Sequence, residues 1–382
     1  SRWRRGARRS GVNLRTISSP YMEWSKLRSH ARFELSTSGL ASFPMTRLPV
    51  EIADLEINGP TIYGYAPLQE RIARHCGTAP DCVVAAAGTS MANHLALAAL
   101  IEPGDEILVE RPTYELLLST ASYLGASIRR FERRPKDGFT LDPGEVERAL
   151  TPATRLVVLT NLHNPSSVRA ADESLRTVVD LAQRRGAFVL ADEVYLESDF
   201  AREDGSDRIS SSPRSAFHLG SNVVATSSLT KAYGLSGLRC GWILASPDLA
   251  ERMWRLNDLF SATPAHPAEL LSVVAFDHLA EIAGRARDLL SRNRALLNDF
   301  LDSRPDLEAA RPDSGTTSFP RLKNGRVDEL CTILLDRHET SVVPGRFFEM
   351  PEHFRIGIGG ETQMFAEGLG RIGRALDEME KS

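Results

Sequence analysis

Between residues 81 and 245, short apolar runs alternate with longer stretches of helical period. "DCVVAAAG", "DEILVE", "ASIRRF", "TRLVVLT", "AFVLADE", "NVVATSS" and "GWILA" read as strands. "SMANHLALAALI", "YELLLSTASYLG" and "DESLRTVVDLAQRRG" between them read as helices. Near-continuous apolar strands are what a mostly parallel sheet requires when helices cover both of its faces. The pattern predicts an α/β domain of three layers.

Past "GWILA" the pattern changes. A long helical stretch covers residues 267–303, and short strand signals follow in "GTTSFPRL", "TSVVPG" and "HFRIGIG" before a last helix, "MFAEGLGRIGRALDEMEK". This predicts a smaller α+β domain. We expect a large domain over residues 51–260, a small one formed by 17–50 with 261–382, and a disordered basic tail over 1–16. No internal repeat interrupts the scheme.

Composition changes little. The chain has 382 residues, 42% hydrophobic and 25% charged, with a net charge of -4, which suits a soluble protein with a sizeable core and gives no reason to expect nucleic acid. Four scattered cysteines without ligand spacing suggest reduced thiols in a cytoplasmic protein, with no disulfide and no metal. No apolar run has the length of a membrane span. "SRWRRGARRS" is the oddity; transit peptides and nucleic-acid arms share its arginines, but it lacks the apolar run of a secretory signal, and we read it as tail.

In open α/β sheets, ligands gather beyond the carboxyl ends of the strands. The first strand delivers "AGTSMAN", a glycine and hydroxyl residues opening a helix, where free N–H groups suit a phosphate. Thr89 or Ser90 as a plain cap would look the same. "RPTY" offers Tyr114 for stacking, and "NLHNPSS" offers Asn164 before a proline, although any Asn-Pro turn reads so. "AFVLADEVY" ends on Asp192, an acid after four apolar residues that needs a cationic partner. Then comes Lys231 in "SSLTKAYGLSGLRCG". A ligand with a phosphate, an aromatic ring, a basic ring nitrogen, a phenolic oxygen and an aldehyde uses all five sites. Pyridoxal phosphate is such a ligand, and lysine attachment with an acid at its ring nitrogen is its usual chemistry.

From about residue 20 onward the chain resembles the class I/II aminotransferases, the aspartate-aminotransferase-like enzymes of pyridoxal phosphate fold type I. "SLTKAYGLSGLRCG" resembles the family's lysine motif. The resemblance implies that Lys231 bonds the cofactor's aldehyde while Ser228 and Arg239 hold its phosphate, with Thr89 and Ser90 completing the cup. It also implies Asp192 at the ring nitrogen, Asn164 and Tyr195 at the phenolic oxygen, and Tyr114 stacked on the ring. "YGY" resembles the segment whose tyrosine reaches the neighbouring subunit's phosphate, so Tyr65 implies a homodimer with the active site at its interface. In "HFRIGIGG", Arg355 matches the arginine for the substrate carboxylate, a bidentate clamp in chemical terms, and Gly39 matches the backbone near it. The implied activity is amino transfer between an L-amino acid and a 2-oxo acid.

Departures are visible. The family's Asn-Pro-x-Asn-Pro-Thr-Gly is "NLHNPSS" here, with Leu162 and no glycine, and "YGYAPLQERIA" leaves Tyr63 as a rival to Tyr65. His163 and His94 receive no role. Arg346 and Phe347 are as suited to a structural loop as to a pocket. Because the same scaffold hosts lyases, cyclases and decarboxylases, the alternative is one of those reactions on an amino acid. A regulator using the fold as a sensor would need a DNA-binding domain, for which the roughly 50 residues before the fold are too few.

Overall fold

The computed structural model describes residues 18–200, 215–323 and 325–381; the expected tail over 1–16 lies outside them. Seven strands form the main sheet: β1 (Val83–Ala87), β2 (Glu106–Arg111), β3 (Ser127–Glu132), β4 (Thr154–Thr160), β5 (Phe188–Asp192), β6 (Val223–Ser228) and β7 (Cys240–Leu244). Their order across the sheet is β1-β7-β6-β5-β4-β2-β3. Only β7 is antiparallel to its neighbours; the rest of the ladder from β6 to β3 is parallel.

Both faces of the sheet are covered. On one, Val84, Val109, Val158, Leu190, Val224 and Ile243 pack with Leu95 of the helix Gly88–Leu100 and Met253 of the helix Pro247–Asn257. On the other, Leu108, Val157, Leu159 and Val189 pack with Leu175, Val178 and Val179 of the helix Asp172–Arg184. Each such side chain, buried fully, contributes about 1.5–3 kcal/mol. A strand that is apolar at consecutive positions can satisfy both contacts at once, which is why "TRLVVLT" shows no alternation.

A separate cluster joins Phe33, Leu35 and Leu40 to Leu289, Leu330, Phe354, Ile356 and Ile372. There Phe33–Glu34 pairs in parallel with Thr340–Ser341. Phe354–Gly357 runs between Thr317–Ser318 and Val343–Pro344, antiparallel to both. N-terminal residues thus share a core with the C-terminal third.

Residues 267–303 form two helices, His266–Asp277 and Leu279–Asp302. His278 leaves helical geometry between them (φ -112°, ψ 17°). The helix Ala66–Cys76 carries Pro67 in its first turn and ends on Gly77 with φ 67°, the usual stop in the left-handed region.

Candidate active site

The parallel strands end on one edge of the sheet, and that edge carries the chemistry. Ala87 at the end of β1 pairs with Cys240 at the start of β7, and Ser228 at the end of β6 pairs with Gly241. The antiparallel direction of β7 therefore places Arg239 beside the ends of β1 and β6. Above this edge lies a cavity of about 290 Å³, walled by Thr89, Ser90, Tyr114, Asn164, Asp192, Tyr195, Lys231 and Arg239 among others. Eight of the twelve expected site residues are on that wall.

At one end the first turn of the helix Gly88–Leu100 meets the β6–β7 loop. Thr89 Oγ1 donates to Ser228 Oγ (2.9 Å), which also accepts from Thr230 N–H (3.3 Å). Arg239 donates to Ala87 O (3.0 Å). Gly88 has φ +77°, and a Cβ there would stand 2.2 Å from the Arg239 guanidinium. The glycine is what lets a cation sit against a helix N-terminus already carrying two hydroxyls. A phosphate fits such a cradle. Ser228 is fully buried just behind the wall.

In the middle of the cavity, the Asp192 carboxylate accepts from Asn93 Nδ2 (2.8 Å) and Val194 N–H (3.1 Å). Asn93 in turn accepts from Thr226 Oγ1 (2.6 Å). Burial raises Asp192 from 3.8 to about 6, against the lowering influence of Asn93, the Val194 amide and Lys231. Lys231, half-buried, is lowered to about 8 by desolvation first and then by Arg355 and Arg239. Burial lifts Tyr195 to about 12, so its hydroxyl stays protonated near neutral pH. A buried carboxylate, an amine, a phenol and an amide on the wall of one cavity suit a pyridine ring with an aldehyde.

Asn164 is set by its turn. Its N–H donates to Thr160 Oγ1 (2.9 Å), and Thr160 is held by Glu110, whose other oxygen pairs with Arg133 in a fully buried ion pair (3.1 Å). His163, also buried, bonds Ser166 (2.6 Å) and Pro112 O (3.0 Å). Leu162 is fully buried. The altered turn is thus braced by side chains, where the family's usual pattern has a glycine.

Arg355, fully buried, lies one layer behind the wall. It donates to Asn164 Oδ1 (3.1 Å), Tyr21 Oη (2.9 Å) and Ser36 O (3.3 Å). Its guanidinium faces the Tyr21 and Phe348 rings, and its Nε is buried without a partner. An unsatisfied donor on a buried cation suits an anionic ligand group. Gly39 backs Lys231: a Cβ there would come to 3.5 Å from Lys231 Cδ.

Tyr65 is not brought to its own chain's cavity. It stacks edge-on against His266 (4.9 Å) in a different hollow formed by residues 57–65 and 263–269. Tyr63, the rival, is exposed and donates to Asp258 (2.8 Å). Arg346 pairs with Asp328 and Phe347 packs on Trp24; neither reaches the main cavity. His94 packs edge-on against Phe260 (5.0 Å).

Several residues escaped the sequence reading: Asn93, Tyr21, Glu34, Ser36 and Ser38. Asn93 left a signal. With Thr89, Ala92 and Ala96 it shares the buried face of an otherwise apolar helix, and a polar residue there requires a buried partner. The others belong to a segment without periodicity.

A half-buried lysine and a buried aspartate at the carboxyl edge of a seven-stranded open sheet, with a phosphate cradle to one side, define an enzyme of the pyridoxal phosphate class. The pattern of "Aminotransferase class I and II" matches residues 55–372, and the chain belongs to that family, whose enzymes depend on pyridoxal phosphate. It is 30% identical to capreomycidine synthase of Streptomyces vinaceus, with 94% of each chain aligned. It is 27% identical to arginine–pyruvate transaminase of Pseudomonas aeruginosa, over 83% of this chain and 82% of that one. A PLP-dependent aminotransferase from Streptococcus suis superposes with a TM-score of 0.85 at 25% identity, covering 94% of this chain and 97% of the other. No described helix is long and apolar enough to cross a membrane.

Proposed function

We propose that the protein is an aminotransferase moving an amino group from an L-amino acid to a 2-oxo acid. The observation that carries this is Lys231 inside a cavity that also holds Asp192 and backs onto Arg355. Bound pyridoxal phosphate supplies an aldehyde for amines and a ring that accepts electrons. Thr89, Ser90, Ser228 and Arg239 would hold its phosphate, Asp192 its ring nitrogen, Asn164 and Tyr195 its phenolic oxygen, and Tyr114 its face.

The chain's own groups then divide the work. Arg355 anchors the α-carboxylate through its open Nε–H, with Asn164 fixing the guanidinium and Gly39 keeping the backbone close. That fixes which bond at Cα faces Lys231. With the amine lowered to about 8, on the order of a tenth of it is neutral at pH 7, so it can take the Cα proton and return it elsewhere. Asp192 would supply a carboxylate to the cofactor's cationic ring nitrogen.

A second reading is cyclisation of the amino acid, favoured by the capreomycidine synthase relative, which aligns with nearly the whole chain. An amino-acid panel with pyruvate as acceptor separates the two. Amino transfer yields an oxo acid in proportion to donor consumed and stops without acceptor, whereas cyclisation proceeds without acceptor. The arginine–pyruvate transaminase relative makes L-arginine the first donor to assay. The reading fails if no donor gives an acceptor-dependent oxo acid.

We further propose a cytoplasmic homodimer. Ile57, Ile62, Leu259 and Phe260 are exposed at 84, 61, 78 and 49%, and the first two line the hollow that holds Tyr65. An apolar surface of this kind calls for a partner, and a second copy would receive Tyr65 at its phosphate cradle. Introducing Asp at both Ile57 and Ile62 is expected to convert a dimer into a monomer by light scattering, weakening association at least 30-fold, and to lower cofactor affinity. An unchanged mass would refute the interface.

A further inference from the structure

The cavity has a second pole. Beyond Asn164 and Tyr195 its wall is made by Met22 and Ser25 of the helix Pro20–Leu27 and by Glu34, Ser36 and Ser38. Glu34 ends the short strand Phe33–Glu34, and Ser36, two residues on, also reaches the cavity wall. The Ser36 carbonyl takes a hydrogen bond from Arg355, whereas no hydrogen bond joins Glu34 to Arg355 among the described residues.

Glu34 is half-buried, and its contact with Ser36 Oγ is long at 3.4 Å. Among the described residues no cation pairs with it, in a chain where surface carboxylates pair freely with arginine. Asp192, the other carboxylate on the wall, is already engaged by Asn93 and Val194. The cavity's cations sit elsewhere: Lys231 and Arg239 at the cofactor side, and Arg355 held by Tyr21, Asn164 and Ser36.

We propose that the substrate is an L-amino acid with a cationic side chain, guanidinium or ammonium, and that Glu34 selects it. This rests on the reading that Arg355 anchors the α-carboxylate. A ligand lying between the two is anionic at one end and cationic at the other. A carboxylate left half-desolvated gains a charge-assisted hydrogen bond from a cationic side chain and repels an acidic one. An aspartate-type substrate would instead place its second carboxylate against Glu34.

The test compares L-arginine with L-citrulline, which has the same length and shape without the charge, and adds L-lysine and L-aspartate. Cofactor-loaded wild type is expected to favour arginine over citrulline at least 10-fold in kcat/KM, and to bind it more tightly in equilibrium titrations followed by cofactor absorbance. Glu34→Gln should lower kcat/KM for arginine about 10- to 100-fold, mainly through KM, and move citrulline less than about threefold. Glu34→Asp, which keeps the charge on a shorter arm, should retain a preference for arginine and decides the matter should Glu34→Gln fold poorly. L-lysine binding tighter than L-arginine would assign the ammonium.

Equal use of arginine and citrulline by wild type, equal losses for both in Glu34→Gln, or a preference for aspartate would overturn the proposal. Tight, Glu34-dependent arginine binding without oxo-acid formation would overturn aminotransfer and leave the substrate class standing.

Discussion

Lys231→Ala is expected to lower turnover by at least about 10⁴-fold, because in the proposed function it removes both the point of covalent attachment and the base at Cα. Added cofactor should still bind through its phosphate cradle, with an absorbance spectrum unlike that of wild type. The loss should not come from unfolding. Burial beside two arginines lowers Lys231 to about 8, so its charged form is unfavourable there, and alanine relieves that at the cost of a small void. Thermal melting of the cofactor-free variant should match or exceed that of the cofactor-free wild type. Wild-type absorbance and turnover in Lys231→Ala would remove the assignment.

Asp192→Asn is expected to cost about 10²- to 10⁴-fold in turnover, the range over which a preorganised charge at a reacting centre acts. The size of the loss follows from the setting. Asp192 is held in place by Asn93 and an amide, and its replacement by a neutral amide removes the charge that the proposed ring nitrogen would meet. Asn93→Ala, which leaves the carboxylate and removes one donor to it, should cost about 10- to 100-fold, as one hydrogen bond to a charged group implies.

The pH dependence has a definite sign. Burial raises the carboxylate to about 6, so it is ionised above that pH and neutral below it. Cofactor uptake by the cofactor-free protein should therefore weaken as pH falls through 6, and Asp192→Asn should lack that step. An identical pH profile in the two proteins would show that Asp192 does not face the ring nitrogen.

Much of this site was legible in the sequence, and the reason is geometric. A strand ending places its last residue at the sheet edge, so apolar runs terminating in "LTN", "ADE" and "TSS" deliver chemistry at fixed positions. Asp192, Lys231 and Asn164 were readable for that reason. Arg239 was readable only through a motif, since the antiparallel direction of β7 that brings it to the edge is not written in "GWILA". Tyr21, Glu34 and Ser36 were not readable. They lie in a segment of short, irregular elements whose position depends on contacts with residues 316–357, some three hundred positions away. The break at His278 was hidden because apolar spacing continues across it. The proposed dimer face is hinted at by "YGY" alone, while isoleucines at 57 and 62 look like any other apolar residues until the fold leaves them outside.

The fold itself brings charged groups together in the pocket. For an acid, a folded-state value above the ordinary one means that the ionised form is disfavoured by folding, so stability is lost as pH rises through that value. For Asp192 the difference between 3.8 and about 6 corresponds to about 3 kcal/mol at neutral pH, a sizeable share of the 5–15 kcal/mol that typically holds a domain together. Lys231 adds a cost of the same kind. A bound ligand that answers these charges stabilises the native state by mass action as well. The vitamin-derived cofactor is thus expected to act as a folding partner too, raising the share of chains that escape proteolysis. Vitamin B6 limitation should deplete the protein itself before it limits catalysis by the molecules that remain.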